Sequence, residues 1–398
     1  MNGINMYLEY YGKKISKNIL KDIPKVRLKH ISGNKNALSK LIKGENLEVL
    51  KFLITDGELK GKIDMIYIDP PYSTNNIFTI SEGKANSISR SNEDNIAYDD
   101  SLLGPEYLEF IRERLILLRE LLSDNGSIYL HIDYKIGHYI KVLMDEIFGR
   151  KNFLSDISRV KCNPKNFERK TYGNVKDMIL FYSKTSNNIW NDPKARLSKK
   201  DIIRLFKKVD AEGRRYTTIP LHAPGETRDG PTGQEWRGMM PPKGRHWRST
   251  PDILESLNKK GLIEWSKNNV PRKKIYADEV DGKRYQDILK FKDPQNPTYP
   301  TEKNIDLLKL LITASSKKTS IILDCFCGSG TTLKAAQELG RNWIGIDKSE
   351  AAIKTTLKRL TATQKMLLLN GQEFEYLEMI DAKKEMHGLA KETAISKA

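Results

Sequence analysis

Met65-Ile66-Tyr67-Ile68-Asp69-Pro70-Pro71-Tyr72 decides how the rest of the chain is read. Its first four residues continue an apolar, β-branched and aromatic run that starts at Ile63 and reads as a buried strand. The run stops at a carboxylate, two prolines and an aromatic ring. Proline has no N–H to give to a sheet ladder, so the strand ends there. Asp69 and Tyr72 are thereby fixed at the carboxyl edge of a sheet, where α/β proteins hold ligands. Such a corner suits one flat group with hydrogen-bonding edges.

Outward from this corner the pattern alternates. Asn46 to Ile54 repeats apolar residues at helical spacing, with Asn46 as its cap. Residues 73–101 are polar and long for a connection, and they follow directly on Asp69, which favours a lid. Pro105 to Leu122 reads as an amphipathic helix closed by Asn125-Gly126, Ser127 to Asp133 as a strand, and Ile136 to Phe148 as a helix. Lys176 to Ser183 is a further strand. After a long irregular stretch the alternation resumes, with a helix over Glu302 to Ala314 and a strand over Thr319 to Phe326. A helix over Thr332 to Leu339, a strand over Asn342 to Ile346 and a helix over Ser349 to Leu360 follow. This is α/β: a doubly wound, mostly parallel, Rossmann-like sheet with a large insertion.

The insertion is where the charge lies. The chain of 398 residues carries +17, but residues 151–275 hold 28 Lys/Arg against 13 Asp/Glu, and the remainder is nearly balanced. Four of the five tryptophans fall between Trp190 and Trp265, interleaved with Arg214, Arg215, Arg237, Arg245 and Arg248. Basic and aromatic residues on an irregular scaffold suit phosphate contacts and base stacking. Arg214, Arg215, Arg237, Arg245, Trp247 and Arg248 are the candidate nucleic-acid contacts. Cys162, Cys325 and Cys327 make no disulfide framework and no zinc spacing, and His222 and His246 have no partner at metal spacing. No metal is expected. No leader segment and no membrane span are read, so a reduced, cytoplasmic setting is expected. His131 and Asp133, at a strand end, are read as satisfying local hydrogen bonds.

The second informative stretch runs from Asp324 to Asp347. A strand, a glycine turn, a helix, a strand and then an acid make a nucleoside-binding βαβ unit. The turn Phe326-Cys327-Gly328-Ser329-Gly330-Thr331 lets backbone approach a ligand, and Asp347 can accept both ribose hydroxyls. No lysine follows as in a phosphate-binding loop. A nucleoside without phosphates fits better, and S-adenosyl-L-methionine is the expected cofactor. With the Asp69 corner this gives a chemistry. A base's exocyclic amino group is a poor nucleophile because its lone pair is delocalised into the ring. A carboxylate accepting one N–H, with a backbone carbonyl accepting the other, helps the nitrogen pyramidalise. Methyl transfer then needs mainly positioning and charge placement. A base reaches such a corner only by leaving the duplex.

Asp69-Pro70-Pro71-Tyr72 resembles the catalytic motif of amino-directed DNA methyltransferases. Asp324-Cys325-Phe326-Cys327-Gly328-Ser329-Gly330-Thr331 resembles their cofactor motif, and Tyr299-Pro300-Thr301-Glu302-Lys303 the motif preceding it. Catalytic motif, basic region, cofactor motif is an order that resembles the β class. Lys62 to Tyr72, Met144 to Gly149 and the Trp247-Arg248 neighbourhood are similar to modification subunits of type III restriction systems. The resemblance covers roughly residues 40–360. It implies a flipped adenine held by Asp69 and Tyr72, with the Pro70 carbonyl as second acceptor and Pro71 closing the motif. It further implies a pocket shaped by Asp324, Phe326, Gly328, Ser329, Gly330 and Thr331, the ribose on Asp347, and Thr301 and Lys303 beside the methionine carboxylate. Glu302 and Asn304 replace a usual Gln and Pro, and Ser73 a frequent Asn.

The domain plan that follows is an N-terminal extension (1–45) and a catalytic half (46–184), then a target-recognition region (185–295). A cofactor-binding half (296–360) and a helical tail (361–398) complete it. The expected activity is methylation of adenine N6 in double-stranded DNA, in a restriction–modification setting. Cytosine N4 is the first alternative and RNA the second; Asp rather than Ser before Pro-Pro-Tyr favours adenine. The resemblance implies a homodimer. It leaves open a restriction subunit, a companion nuclease or a free-standing enzyme.

Overall fold

The computed structural model describes the chain apart from residues 1–6, 72–76, 82–83, 87–94, 100–103, 165–167, 169, 228, 296, 298–301, 367–372 and 382–398. Between residues 77 and 99 it describes backbone alone. The described chain divides into two compact units, 1–193 with 286–398, and 194–285.

Strands of the first unit are β1 (Val26–Gly33), β2 (Lys40–Lys43), β3 (Ile63–Ile68), β4 (Leu122–Ile132), β5 (Phe153–Val160), β6 (Lys176–Ser183), β7 (Ile288–Leu289), β8 (Ile321–Asp324), β9 (Asn342–Asp347) and β10 (Glu375–Asp381). They form one sheet in the order β1-β10-β2-β9-β8-β3-β4-β6-β5-β7. From β10 through β4 neighbours run parallel. β1 and β6 run against their neighbours. The helices are α1 (Ser16–Lys21), α2 (Asn46–Ile54), α3 (Gly104–Leu121), α4 (Gly137–Phe148), α5 (Ile305–Ser315), α6 (Thr331–Glu338) and α7 (Glu350–Met366).

The period of two in β3 explains the layers. Ile66 and Ile68 join a core built with Leu50 of α2, Leu115 of α3 and Leu143 of α4. Met65 and Tyr67 join a second core built with Leu311 of α5, Leu333 of α6 and Ile353 of α7. Both faces are covered, so the central strands are apolar on both sides. Fully burying each such side chain contributes about 1.5–3 kcal/mol, which is what holds helices to both faces.

Four expectations change. The stretch 73–101, expected as a long polar loop favouring a lid, contains among its described residues a three-stranded antiparallel sheet of Ile77–Ser81, Lys84–Asn86 and Asn95–Asp99. Residues 1–45, read as irregular, supply β1 and β2. The tail, read as helical and peripheral, supplies β10, inserted between them. Residues 185–193 and 286–295, grouped by composition with the insertion, belong to the first unit, where β7 pairs with β5.

The second unit is a small β-rich body. Arg215–Pro220, Lys208–Val209, Pro271–Tyr276 and Ile263–Trp265 form a four-stranded antiparallel sheet, and His222–Pro224 pairs with Arg245–Trp247. Its core is Leu221, Trp236, Trp247, Leu254 and Ile263, with Trp265 packed against them.

Candidate active site

β3 and β8 are parallel neighbours, Met65 facing Ile322 and Ile66 facing Leu323. Their carboxyl ends therefore open at one edge, and each ends in a carboxylate. Asp69 lies one residue beyond β3, before Pro70 and Pro71, and Asp324 is the last residue of β8. Tyr72 lies outside the described residues, as does Thr301. Lys303, just before α5, reaches Asp69: its ammonium Nζ is 2.5 Å from Oδ2.

The glycine turn after β8 is pinned from three sides. Gly328 N–H donates to Asp347 Oδ2 at 2.9 Å. Thr356 Oγ1 of α7 donates to the Gly328 carbonyl at 2.8 Å. Gly330 has φ +74°, and a Cβ there would lie 2.7 Å from Thr356 Cγ2, so no other residue fits. Gly345 of β9 is equally confined, since a Cβ would lie 2.3 Å from Leu333 Cδ1. Phe326 N–H donates to Asp324 Oδ1 at 3.0 Å. Asp347 also accepts the Ser349 N–H on Oδ1 at 2.8 Å. Each carboxylate oxygen keeps a second lone pair, so Asp347 retains acceptors for a ligand's hydroxyls.

The electrostatics are uneven. Burial raises the Asp324 carboxyl to about 7, against hydrogen bonds from Thr332 and the Phe326 N–H, with the Asp69 and Asp347 charges adding to the rise. Burial likewise raises Asp347, opposed by the Ser349 and Gly328 N–H groups. Three carboxylates thus gather at one sheet edge, with the Lys303 ammonium among them.

Several residues have roles here that were not read from the sequence. Asn46, expected as a helix cap, instead donates through Nδ2 to the Cys325 carbonyl at 2.8 Å and accepts from Arg114 Nε at 2.6 Å. Glu45 caps α2 in its place. The Arg114 guanidinium lies 3.6 Å from the centre of the Phe110 ring, which packs on Phe326 at 6.0 Å. Arg359 of α7 donates to Ser329 Oγ at 3.1 Å and Thr331 Oγ1 at 2.9 Å, and pairs with Glu302 at 2.8 Å. No local signal marks these residues, because each pairs with a partner distant in sequence.

His131 is fully buried in β4. Its Nδ1 meets the Tyr67 hydroxyl at 2.8 Å and its Nε2 meets Asp177 Oδ2 at 3.2 Å. Burial lowers its pKa, against the Asp177 hydrogen bond. Asp133 turns the chain into α4 through the Lys135 and Ile136 N–H groups. Among the described residues no His, Cys, Asp or Glu group has the arrangement to hold a metal ion. Nor is any described helix long and apolar enough to cross a membrane.

The candidate DNA contacts of the second unit separate into classes. Trp247 is a correction: it is 3% exposed, and its indole N–H donates to the Gln234 carbonyl at 2.9 Å. Its ring meets Trp236 edge-on, and Trp236 stacks on Trp265 at 5.6 Å. These tryptophans make the unit's core, so Trp247 cannot stack on a base. Arg214 pairs with Asp278 and Glu279, and Arg237 with Glu255. Arg215 reaches the Phe206 carbonyl at 3.4 Å. Arg245 and Arg248 are exposed, and among the described residues neither pairs with a carboxylate. Arg245 Nη1 lies 3.2 Å from His222 Nδ1, whose pKa is lowered by burial and then by the Arg245, Arg248 and Arg272 charges.

A family model described as DNA methylase, covering N6 and N4 methyltransferases, matches residues 63–358. The Type II methyltransferase M.EcaI of Enterobacter cloacae is 41% identical over 90% of this chain and 78% of its own length. The StyLTI Mod subunit, a type III restriction-modification enzyme of Salmonella typhimurium, is 27% identical over 83% of this chain; the chain spans 54% of that relative. The solved M1.HpyAVI-SAM complex aligns with 80% of this chain and 99% of its own, at 19% identity and a TM-score of 0.42.

Proposed function

The chain belongs to the DNA methylase family, and from that premise we propose that it methylates the N6 amino group of an adenine flipped out of duplex DNA, using S-adenosyl-L-methionine. One observation carries the reading: Asp69 and the glycine turn open at the same edge, at the ends of adjacent parallel strands. The donor set fits the cofactor. The turn offers close backbone approach without a phosphate-binding lysine, and the Asp347 carboxylate keeps lone pairs for ribose hydroxyls. Residues 326–331 and Asp347 would hold it, with Thr301 toward its methionine end; Lys303, expected beside the methionine carboxylate, instead pairs with Asp69. Bound there, the cofactor supplies a methyl group on a positively charged sulfur.

The chain's own part is positioning. Asp69 accepts one amino N–H and the Pro70 carbonyl the other. Both bonds draw the nitrogen lone pair out of the ring, and Tyr72 stacks on the base. Pro70 and Pro71 fix the direction of this corner because neither peptide can rotate into the strand. Adenine is favoured over cytosine by the Asp that opens the motif.

The setting proposed is restriction–modification in the cytoplasm, with a nuclease partner and a dimeric enzyme. Light scattering of the purified chain tests the dimer. Nucleoside analysis of methylated duplex DNA tests the base: N6-methyladenine is expected, and N4-methylcytosine would overturn the assignment. Asp69→Ala is expected to lower the transfer rate by about 10²–10³-fold while cofactor binding persists. Wild-type methylation by that variant would mean the acceptor site lies elsewhere.

A further inference from the structure

Two neighbouring residues are tied to the two half-sites, one directly and one through Arg359. Lys303 pairs with Asp69 at the acceptor corner. Glu302 pairs with Arg359, whose guanidinium also donates to Ser329 Oγ and Thr331 Oγ1 in the donor turn. One short segment thus contacts the end of β3 through a cation, and through an anion it pairs with the arginine that holds the turn after β8. All four charged side chains are at most 16% exposed. Charges this far out of water are screened less than surface pairs, and removing one partner strands the other.

The segment is held at its base. Arg159, fully buried, donates through Nε to the Phe291 carbonyl at 2.8 Å and pairs with Asp293. Asn304 donates through Nδ2 to the Lys292 carbonyl at 2.9 Å, while its Oδ1 caps α5 by accepting from Asp306 N–H at 2.9 Å. Residues 292 and 304 are therefore joined, and Glu302 and Lys303 stand just inside the closure. The same anchoring accounts for Asn304, one of the departures from the family pattern, since its side chain both joins Lys292 and starts the helix.

We propose that Glu302 and Lys303 form an ionic bridge that holds the methyl-donor turn and the methyl-acceptor corner in register, with Arg359 as a positioning residue for the transfer. The proposal rests on the methyltransferase reading above. Methyl transfer is an in-line displacement, in which a misplacement of about 1 Å costs about 10²-fold. A tie between the two halves acts on that distance. Loss of an ion pair that merely stabilised the fold would lower the melting temperature and leave the rate of the correctly folded enzyme alone.

The test uses the full chain, S-adenosylmethionine and a duplex methylated by the wild type. Glu302→Gln and Arg359→Met are expected to slow single-turnover methylation at saturating cofactor by about 10–100-fold, with DNA affinity unchanged. The charge swap Glu302→Arg with Arg359→Glu is expected to recover most of the loss. Glu302→Asp keeps the charge on a shorter arm and serves where the neutral variants do not fold; a several-fold slower rate is expected. Single-turnover rates within twofold of wild type in the folded variants would overturn the bridge, whatever their melting temperatures. Failure of the underlying reading looks different: Asp69→Ala would then methylate normally. An inactive Asp69→Ala beside fully active Glu302 and Arg359 variants sinks the bridge alone.

Discussion

Asp324 carries a cost that burial imposes and its neighbours increase. It is 2% exposed, near Asp69 and Asp347, and burial first of all raises its carboxyl to about 7. A folded-state pKa above the unfolded value means that the native state favours the proton. The stability this contributes is complete below pH 3.8 and is lost as pH rises through about 7. Between pH 5.5 and 8.5 the loss is on the order of 2 kcal/mol, or several degrees of melting temperature. Asp324→Asn removes the titration, so its melting temperature is expected to fall less over that interval than the wild type's, measured without cofactor. Equal slopes for the two proteins would show that Asp324 is already ionised at low pH. The carboxylate itself was visible in the sequence, as were Asp69, Gly328 and Gly330, because a strand end or a tight turn is a local property of consecutive residues. The Lys303–Asp69 pair joins positions more than two hundred residues apart, and the Arg359 contacts reach back to the turn from the middle of α7. Pairings of that kind follow from the folded sheet and leave no trace in residue spacing.

The alternation of strands and helices from Ile63 onward was legible because those strands are apolar on both faces. The outer strands were not. In β1 only Val26 is buried, and β10 carries acids at positions 375, 378 and 381. Glu375 is tolerated inside because Lys40 of β2 and His30 of β1 hold its carboxylate, and their hydrogen bonds keep its pKa low against the cost of burial. Those partners come from opposite neighbours in the sheet, so the segment alone reads as polar tail. A consequence can be measured. β1 bonds to the sheet through β10, so ending the chain after Glu373 frees β1 and uncovers the edge of β2. Exposed edges of this kind invite aggregation. The shortened protein is expected to give little soluble material, or to melt several degrees lower. A soluble product with the wild-type melting temperature would mean that β10 contributes nothing to the fold.

At the scale of the whole molecule, composition located the charge and misjudged the tryptophans. Residues 194–285 hold 22 Lys/Arg against 12 Asp/Glu, so they carry most of the chain's surplus. A unit this small needs large side chains to make a core at all, and Trp236, Trp247 and Trp265 supply it by packing on one another. The basic residues are also less uniform than a count suggests. Arg214 and Arg237 are engaged by acids on the same unit. Arg245 and Arg248 lie on or beside the strand pairing with His222–Pro224, near Arg272, where three positive charges converge on one imidazole. Like charges gathered without a described carboxylate are disposed to neutralise phosphates, whereas a paired guanidinium first has to give up its acid. The two kinds of arginine should differ in how binding responds to salt. Each phosphate neutralised contributes about 0.9 to the slope of log affinity against log salt concentration. Replacing both Arg245 and Arg248 by Ala is expected to weaken duplex binding and to lower the magnitude of that slope by about 2, measured by anisotropy across a salt series. Arg214→Ala should leave the slope unchanged. If Arg214→Ala flattens the slope and the double variant does not, the phosphate contacts lie on the Asp278–Glu279 side of the unit.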